Sequence, residues 1–227
     1  GHGAALLDLE KFGASYAYTV DGGAPNEVEW ETFYAAAADW SIAGVSVHPG
    51  DAKDKMVNAA LVAMEINGML PPDEIPAKTQ GREGFFHLCD MSGDVSAAKL
   101  SYIIRDHDAE KFSQRKQTMR EIERKINETY GAGTAALTLR EQYRNMAEIL
   151  QHHPDVVEQA KRAIRAVGLT PVSNPVRGGT DGAQLSFRGL PCPNLGTGAY
   201  ALHGPYEHAI AEQMDVMTEI LLHIAQA

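Results

Sequence analysis

The sequence predicts an α/β protein in which one α/β domain is inserted into another, and three observations predict it. Helical and extended patterns alternate along the whole chain, and the segment 40–143 has the order β-α-β-β-α-β. The segments on either side of it also mix helix and strand patterns, but neither can close a sheet alone. We therefore expect 1–38 and 146–227 to pack together as one domain, with 39–145 inserted between them.

The composition excludes several classes of protein. The chain has 227 residues, 44% of them hydrophobic, which is enough for a core and too much for a disordered chain. Its net charge of -10 argues against a nucleic-acid partner, and no run approaches the roughly 18 apolar residues of a membrane span. The two cysteines, Cys89 and Cys192, lie far apart, and no signal-peptide core precedes them, so we expect a reduced, cytoplasmic setting.

The first outer segment is predicted to hold two strands. Residues 1–12 have the pattern of a helix end or turn, 14–20 form a β-prone run, and 27–33 alternate as in a short strand. The first strand stops at Asp21, which is followed by two glycines. An aspartate at a strand end is either a metal ligand or acid/base group at the sheet edge, or an ordinary turn residue.

The inserted segment is predicted to contain four strands and two helices. Its strands fall at 40–47, 85–90, 97–105 and 135–143, and its helices at 51–69 and 109–130. Asp51 and Asp108 are the expected N-caps of the two helices. This order is that of the split, ferredoxin-like βαββαβ unit, with two helices on one antiparallel sheet.

The closing segment contains the most unusual local string. Helices are predicted at 154–167, 183–187 and 207–225, and a buried strand at 191–195. The string Arg177-Gly-Gly-Thr-Asp-Gly182 opens the short helix. Its glycines expose main-chain N–H groups where an anion would be favoured, but a tight structural turn explains them equally well.

Three other side chains are candidates for chemistry. His203, with His208 nearby, lies in the loop before the last helix. It is either a zinc ligand or an exposed or capping histidine. His48 follows a strand, as a polarising group or as a turn residue. Arg105 ends a strand, as a clamp for a carboxylate or as a surface ion-pair partner. Local patterns leave each pair of alternatives open.

Six strings carry a more specific signal when they are taken together. They are Tyr18-Thr-Val-Asp-Gly-Gly23, Val47-His-Pro-Gly50, Tyr102-Ile-Ile-Arg-Asp106, Arg177-Gly-Gly-Thr-Asp-Gly-Ala-Gln-Leu-Ser186, Gly189-Leu-Pro-Cys-Pro-Asn-Leu195 and His203-Gly204. In order and spacing, over the whole chain, they resemble the peptidase T family of bacterial tripeptide aminopeptidases. That family is one of the two-zinc exopeptidases with a fold of the glutamate carboxypeptidase type.

The resemblance implies a role for each candidate residue. It implies that Asp21 is a terminal ligand of one zinc and His203 a ligand of the other, with two zinc ions in each complete site. It implies that His48 reaches across a homodimer to polarise the scissile carbonyl, and that the inserted domain is the lid and dimer interface. The residues that it assigns to substrate binding are Arg105, Arg177, Gly178, Gly179, Thr180 and Asp181.

By the same resemblance the activity is metal-dependent release of the N-terminal residue of a tripeptide. Zinc-activated water would attack the peptide carbonyl, with a glutamate as general base. The family's His-x-Asp motif, bridging aspartate and Glu-Glu pair all precede the part matched here, and Gly1-His2-Gly3 follows that pair almost directly. We therefore expect the 227-residue chain alone to bind zinc weakly and to be inactive, since one ligand cannot fix a zinc ion.

Two alternatives remain at this stage. The chain could be a non-catalytic dimerisation or binding module that keeps the fold without the chemistry, or it could belong to a related dizinc deacylase. The expected partners are a tripeptide substrate and a second copy of the chain, with no nucleic acid and no membrane.

Overall fold

The computed structural model describes residues 3–226 and divides into two units. One unit is 34–142, and the other combines the chain up to Phe33 with the chain from Tyr143 onward. The α/β class with an inserted βαββαβ domain is therefore confirmed. Gly1 and His2, which the resemblance places just after a Glu-Glu pair, lie outside the described residues.

The helices are α1 (Gly3–Leu6), α2 (Leu9–Phe12), α3 (Ala59–Gly68), α4 (Ala109–Tyr130), α5 (Ala147–Leu150), α6 (Pro154–Ala166), α7 (Asp181–Phe187) and α8 (Ala211–Ala225). The strands are β1 (Thr19–Val20), β2 (Val28–Glu29), β3 (Tyr34–Ala43), β4 (Phe85–Gly93), β5 (Ala97–Asp106), β6 (Ala135–Tyr143), β7 (Asn194–Leu195), β8 (Ala199–Tyr200) and β9 (His208–Ala209).

The inserted unit is a four-stranded sheet, ordered β4-β5-β3-β6, with one face covered by α3 and α4. β3 pairs antiparallel with β5 from Tyr34 onward, so the unit begins at that residue, before the predicted boundary at 39. Inward-facing side chains of the sheet pack on the apolar stripes of both helices, around the fully buried Trp40, Leu100 and Met119.

One predicted N-cap in this unit is wrong and the other is confirmed. Asn58, not Asp51, caps α3, and its side chain accepts hydrogen bonds from the main-chain N–H groups of the first helical turn at 3.0 and 3.3 Å. The helix starts late because Val57 still pairs with Val45 through main-chain hydrogen bonds. Asp108 caps α4 as expected, accepting from Lys111 N at 2.9 Å.

The outer unit is built on a small mixed sheet of order β1-β7-β2. Each strand has two residues, fewer than the predicted runs. The central strand is short because Pro191 and Pro193 have no N–H to donate to a ladder. Their carbonyls accept instead, from Ala17 N and Thr19 N. Helices α6 and α8 cover the sheet with a core that includes Ile164 and Ile220.

The last helix begins later than predicted. His208 and Ala209, in the predicted first turn of this helix, form β9 instead, which pairs with β8 in a hairpin, and α8 begins at Ala211. The short helix α7 begins at Asp181 because the Thr180 hydroxyl caps it, accepting from Ala183 N at 3.0 Å. Within residues 3–226 no helix combines the length and hydropathy needed to cross a membrane.

Candidate functional site

The turn that follows β1 is held in place by the segment around β7. Asp21 N donates to Leu195 O at 2.9 Å, and Asn194 Nδ2 donates to Asp21 O at 3.0 Å. The next carbonyl, that of Gly22, accepts from Thr197 Oγ1 at 2.6 Å. The main chain at Asp21 is therefore fixed from two sides, while its side chain is exposed.

Glycine is required where this turn meets the segment after β7. A Cβ atom on Gly196 would lie 1.8 Å from the carbonyl oxygen of Ala24, which no real contact allows. Gly198 N donates to the carbonyl of Gly23 at 2.8 Å, which continues the same close approach. The Asp21 turn thus depends on two backbones lying almost in contact.

The surroundings of Asp21 are negatively charged. Its carboxylate makes no hydrogen bond and no ion pair within residues 3–226. Burial raises the pKa of the neighbouring Glu29 to about 7, opposed by a hydrogen bond from Asn194 and reinforced by the charges of Glu27 and Asp21. A free carboxylate in a negative field is suited to a cation.

His203 lies in the exposed turn of the β8–β9 hairpin. Its φ of 63° is in the left-handed region, and its main-chain N–H donates to Glu207 Oε2 at 2.6 Å. Its imidazole makes no hydrogen bond, ion pair or ring contact with another described residue, so both ring nitrogens can bind a ligand. His208 instead stacks on Tyr200, at 5.8 Å between ring centroids, and contacts the carbonyl of Tyr206, which fits its structural interpretation.

Asp21 and His203 lie in the same unit, and the chain runs from the segment that holds Asp21 directly into the hairpin with His203. Their donor atoms are those that zinc prefers, so each side chain fits as one ligand. However, residues 3–226 contain no group of three or more His, Cys, Asp or Glu side chains placed to hold a metal. A catalytic zinc takes three protein ligands, so this part of the chain does not form a complete site.

Two candidates lie in the inserted unit. His48 is exposed and caps a short 3-10 turn, its Nδ1 accepting from Gly50 N at 3.1 Å, which leaves Nε2 as the outward nitrogen. Arg105 is half-buried on the sheet face away from the helices. Its Nη1 donates to the carbonyls of Ile104 at 2.9 Å and Ala36 at 3.2 Å, which fixes the guanidinium against the sheet.

The glycine-rich string is well anchored in the outer unit. The Arg177 guanidinium lies over the ring of Phe33, with its carbon 5.2 Å from the centroid, and Gly178 O accepts from Phe33 N at 3.3 Å. A Cβ on Gly179 would lie 2.8 Å from the ring of Tyr143. Asp181 is the first residue of α7 and half-buried. These contacts agree with a tight turn and leave its substrate-binding role as a prediction.

Sequence reasoning missed three polar residues that shape the candidate site. Asn194 and Thr197 hold the Asp21 turn, and Glu207 holds the main chain of His203. A signal for the first existed, because Asn194 is the one strongly polar side chain in the string 191–195 and is fully buried. Buried amides are nearly always hydrogen-bonded, so its partners could have been sought.

The chain is similar to a known domain family over part of its length and to known proteins over nearly all of it. Residues 31–134 match the family model of the peptidase dimerisation domain. The whole chain then resembles peptidase T: it is 50% identical over 224 residues to peptidase T from Clostridium perfringens, a match that covers 99% of this chain and 55% of that protein. The resemblance drawn from the six strings is thereby confirmed, and the chain spans about half the length of the curated relatives it matches.

Solved structures of peptidases share the fold of this chain. An aminopeptidase PepT from Bacillus cereus superposes with a TM-score of 0.82 at 25% identity, covering 98% of this chain and 59% of that one. A dinuclear metal binding peptidase of the M20 family from Bacillus subtilis superposes with a TM-score of 0.59 at 15% identity, covering 92% and 52%. The second likeness supports the fold alone.

Proposed function

We propose that the chain is part of a metal-dependent aminopeptidase that releases the N-terminal residue of tripeptides. The observation that carries this proposal is the 50% identity to a peptidase T over 99% of the chain. Two features support it: the free carboxylate of Asp21 in its negative surroundings, and the free imidazole of His203 in a fixed hairpin turn. The proposed setting is the cytoplasm, in keeping with two unpaired cysteines.

The proposed metal is zinc, with two ions in the complete protein. Bound zinc would supply a water of lowered pKa and polarise the peptide carbonyl. Asp21 would give one ligand to one ion, and His203 one ligand to the other. Since the described residues do not complete either ligand set, the remaining ligands and the general base would come from the part of the relatives that this chain does not match.

The other candidates would act on the substrate. His48 would present Nε2 to the scissile carbonyl, because Nδ1 is engaged by Gly50. Arg105, fixed against the sheet, would bind the peptide or its carboxylate through its guanidinium group. The loop of Arg177, Gly178, Gly179, Thr180 and Asp181 would line the substrate site.

We also propose a homodimer formed through the inserted unit, in which His48 serves the site of the partner subunit. The match of residues 31–134 to a peptidase dimerisation domain supports this proposal. Light scattering over a concentration series tests it. A strict monomer at every concentration would contradict the dimer and the role of His48 together.

A complementation assay tests the activity. The 227-residue chain is assayed alone, and mixed with the separately expressed upstream part of the Clostridium perfringens relative, against tripeptides and N-acyl amino acids. We expect no cleavage by the chain alone and zinc-dependent cleavage of tripeptides by the mixture. Asp21→Asn and His203→Gln should each abolish it, whereas Glu212→Gln, in the exposed first turn of α8, should not. Cleavage of N-acyl amino acids instead would favour a deacylase.

The absence of any cleavage in a mixture that forms a stable complex would favour the non-catalytic module. Calorimetry of the same samples with zinc chloride measures the metal directly. We expect tight sites in the mixture and weak binding by the chain alone. Two tight sites in the chain alone would overturn the assignment of one ligand per ion.

A further inference from the structure

The side chain of Asn194 lies at the centre of the small sheet of the outer unit. The strand register places it beside Thr19 of β1 on one side and Glu29 of β2 on the other. Because paired residues of neighbouring strands point to the same face, the three side chains form a row across the sheet. Asn194 is fully buried, and this row meets Asp21 at its edge.

Almost the whole hydrogen-bonding capacity of the Asn194 amide is used. Its Oδ1 accepts from Thr19 Oγ1. Its Nδ2 donates to Glu29 Oε2 at 3.3 Å and to the main-chain carbonyl of Asp21 at 3.0 Å. A buried amide with three partners has one orientation, so it presents a fixed donor to Asp21.

The first turn of α7 packs on this row and restricts rotation of the Asn194 side chain. A Cβ atom on Gly182, in the first turn of α7, would lie 2.8 Å from Thr19 Oγ1 and 3.0 Å from Asn194 Oδ1. The helix therefore sits directly on the row and prevents the amide from rotating out of it. The same helix starts at Asp181, another candidate site residue. The buried side chain of Asn194 therefore lies beside both the Asp21 turn and the first turn of α7.

We infer that Asn194 is a positioning residue for Asp21, whose carboxylate has no hydrogen bond of its own to orient it. The main chain at Asp21 sets the position and direction of its Cα–Cβ bond, and Asn194 holds the carbonyl there. Groups that orient metal ligands commonly change metal affinity or rate by about 10- to 100-fold when they are removed. This inference rests on the proposed function, in which Asp21 binds a metal ion.

The chemistry selects an amide at this position. Aspartate has nearly the same shape but no N–H, so Asn194→Asp loses the donor to Asp21 and faces a carboxylate toward Glu29. Alanine would remove both the acceptor for Thr19 Oγ1 and the donor to the Asp21 carbonyl. Asn194→Asp is therefore the sharper variant, and Thr19→Val is a milder one that loosens Asn194 without touching it.

Ser186 offers a matched control in the same unit. It is buried, donates to Gly182 O at 2.8 Å and accepts from Cys192 N at 3.0 Å, and it makes no hydrogen bond to Asp21. Ser186→Ala thus removes buried hydrogen bonds of the same kind without changing what holds Asp21. A merely structural role for Asn194 predicts that the two variants behave alike.

The first experiment is amide hydrogen exchange on the 227-residue chain itself. Asn194→Asp and Thr19→Val should speed exchange at the N–H of Asp21 by about tenfold or more relative to Ser186→Ala, at equal melting temperature. Equal exchange rates at Asp21 in Asn194→Asp and Ser186→Ala would overturn the inference. Thr19→Val gives the answer if Asn194→Asp does not fold.

The second experiment uses the complemented complex, with zinc chloride calorimetry and steady-state kinetics. Asn194→Asp should weaken zinc binding and lower kcat by about 10- to 100-fold, with KM changed by less than about twofold, while Ser186→Ala changes none of these. Asp21→Asn separates the two proposals. If Asp21→Asn weakens zinc binding but Asn194→Asp does not, the inference fails and the proposed function stands. If Asp21→Asn has no effect, the proposed function fails.

Discussion

The two units of the chain are stabilised in different ways. The inserted unit has strands of nine or ten residues and a 22-residue helix, and one continuous apolar core that lies between the sheet and both helices. The outer unit has two-residue strands and several small apolar clusters, whereas backbone contacts that need glycine occur in both units, at Gly44 in the inserted unit and at Gly196 in the outer unit. Regular periodicity dominates the first unit, whereas short strands and individual polar contacts dominate the second.

This difference matches the placement of the candidate ligands. Asp21 and His203 both lie in the irregular unit, at turns fixed by side chains such as Asn194 and Glu207. A short strand and a left-handed turn can point one side chain in a direction that a long regular strand does not offer. Sites that need defined geometry are supported by such specific hydrogen bonds rather than by apolar area alone.

The largest expected effect is on the core of the inserted unit. Ile104 is fully buried, and Ile104→Ala should lower the free energy of unfolding by about 2–5 kcal/mol, because it removes apolar burial and leaves a cavity. Ile103 is adjacent and points to the half-exposed face, so Ile103→Ala should cost less than half as much. Urea unfolding of both variants measures the difference, and equal losses would contradict the one-sided core.

Next in size is a test of the backbone contacts in the outer unit. Gly196→Ala places a methyl group against the carbonyl of Ala24 and should cost about 1–3 kcal/mol or more, because the two backbones must separate. Gly178→Ala is the control, since its nearest neighbour would be 4.0 Å away. Thermal unfolding compares them. A Gly196→Ala variant as stable as the control would show that close approach does not hold this unit.

A smaller effect should distinguish the two candidate caps of α3. Asn58→Ala removes a side chain that accepts two main-chain hydrogen bonds and should cost about 1 kcal/mol. Asp51→Ala, at the position favoured by sequence, should change the free energy of unfolding by less than about 0.5 kcal/mol. Chemical denaturation of both variants measures this difference. A larger loss for Asp51→Ala than for Asn58→Ala would favour the longer helix predicted over 51–69.

The smallest expected effect is the pH dependence of the free energy of unfolding that Glu29 contributes. Burial raises its pKa from 4.5 to about 7 in the folded chain, so the folded state binds the proton more tightly than the unfolded state does. This contribution to stability is fully present below pH 4.5 and is lost as the pH rises through 7. Water screens a half-buried group, so the slope is shallow.

Glu29→Gln should therefore flatten stability between pH 4.5 and pH 7 in metal-free buffer, as measured by urea midpoints at several pH values. Parallel curves for the variant and the unchanged chain would mean that this carboxyl is not desolvated in the folded state.

The same contrast explains which elements sequence reasoning could predict. The bounds of α4 and β6 agree with the predicted 109–130 and 135–143, because a long amphipathic helix and a bounded β-prone run have strong local signals. The strand predicted at 14–20 is mostly irregular in the structure, since its neighbouring chain contains Pro191 and Pro193. Pairing partners are distant in sequence, and a local pattern cannot reveal them.

By itself the sequence determined the fold class, the βαββαβ order and the resemblance to peptidase T, because periodicity and ordered motifs are written along the chain. It also indicated Asp21 and His203 as candidates. Only the tertiary structure decided that Asn58 caps α3, and that Asn194 joins Thr19, Glu29 and the Asp21 carbonyl. These contacts join residues up to 175 positions apart, and their geometry exists only after three strands have come together.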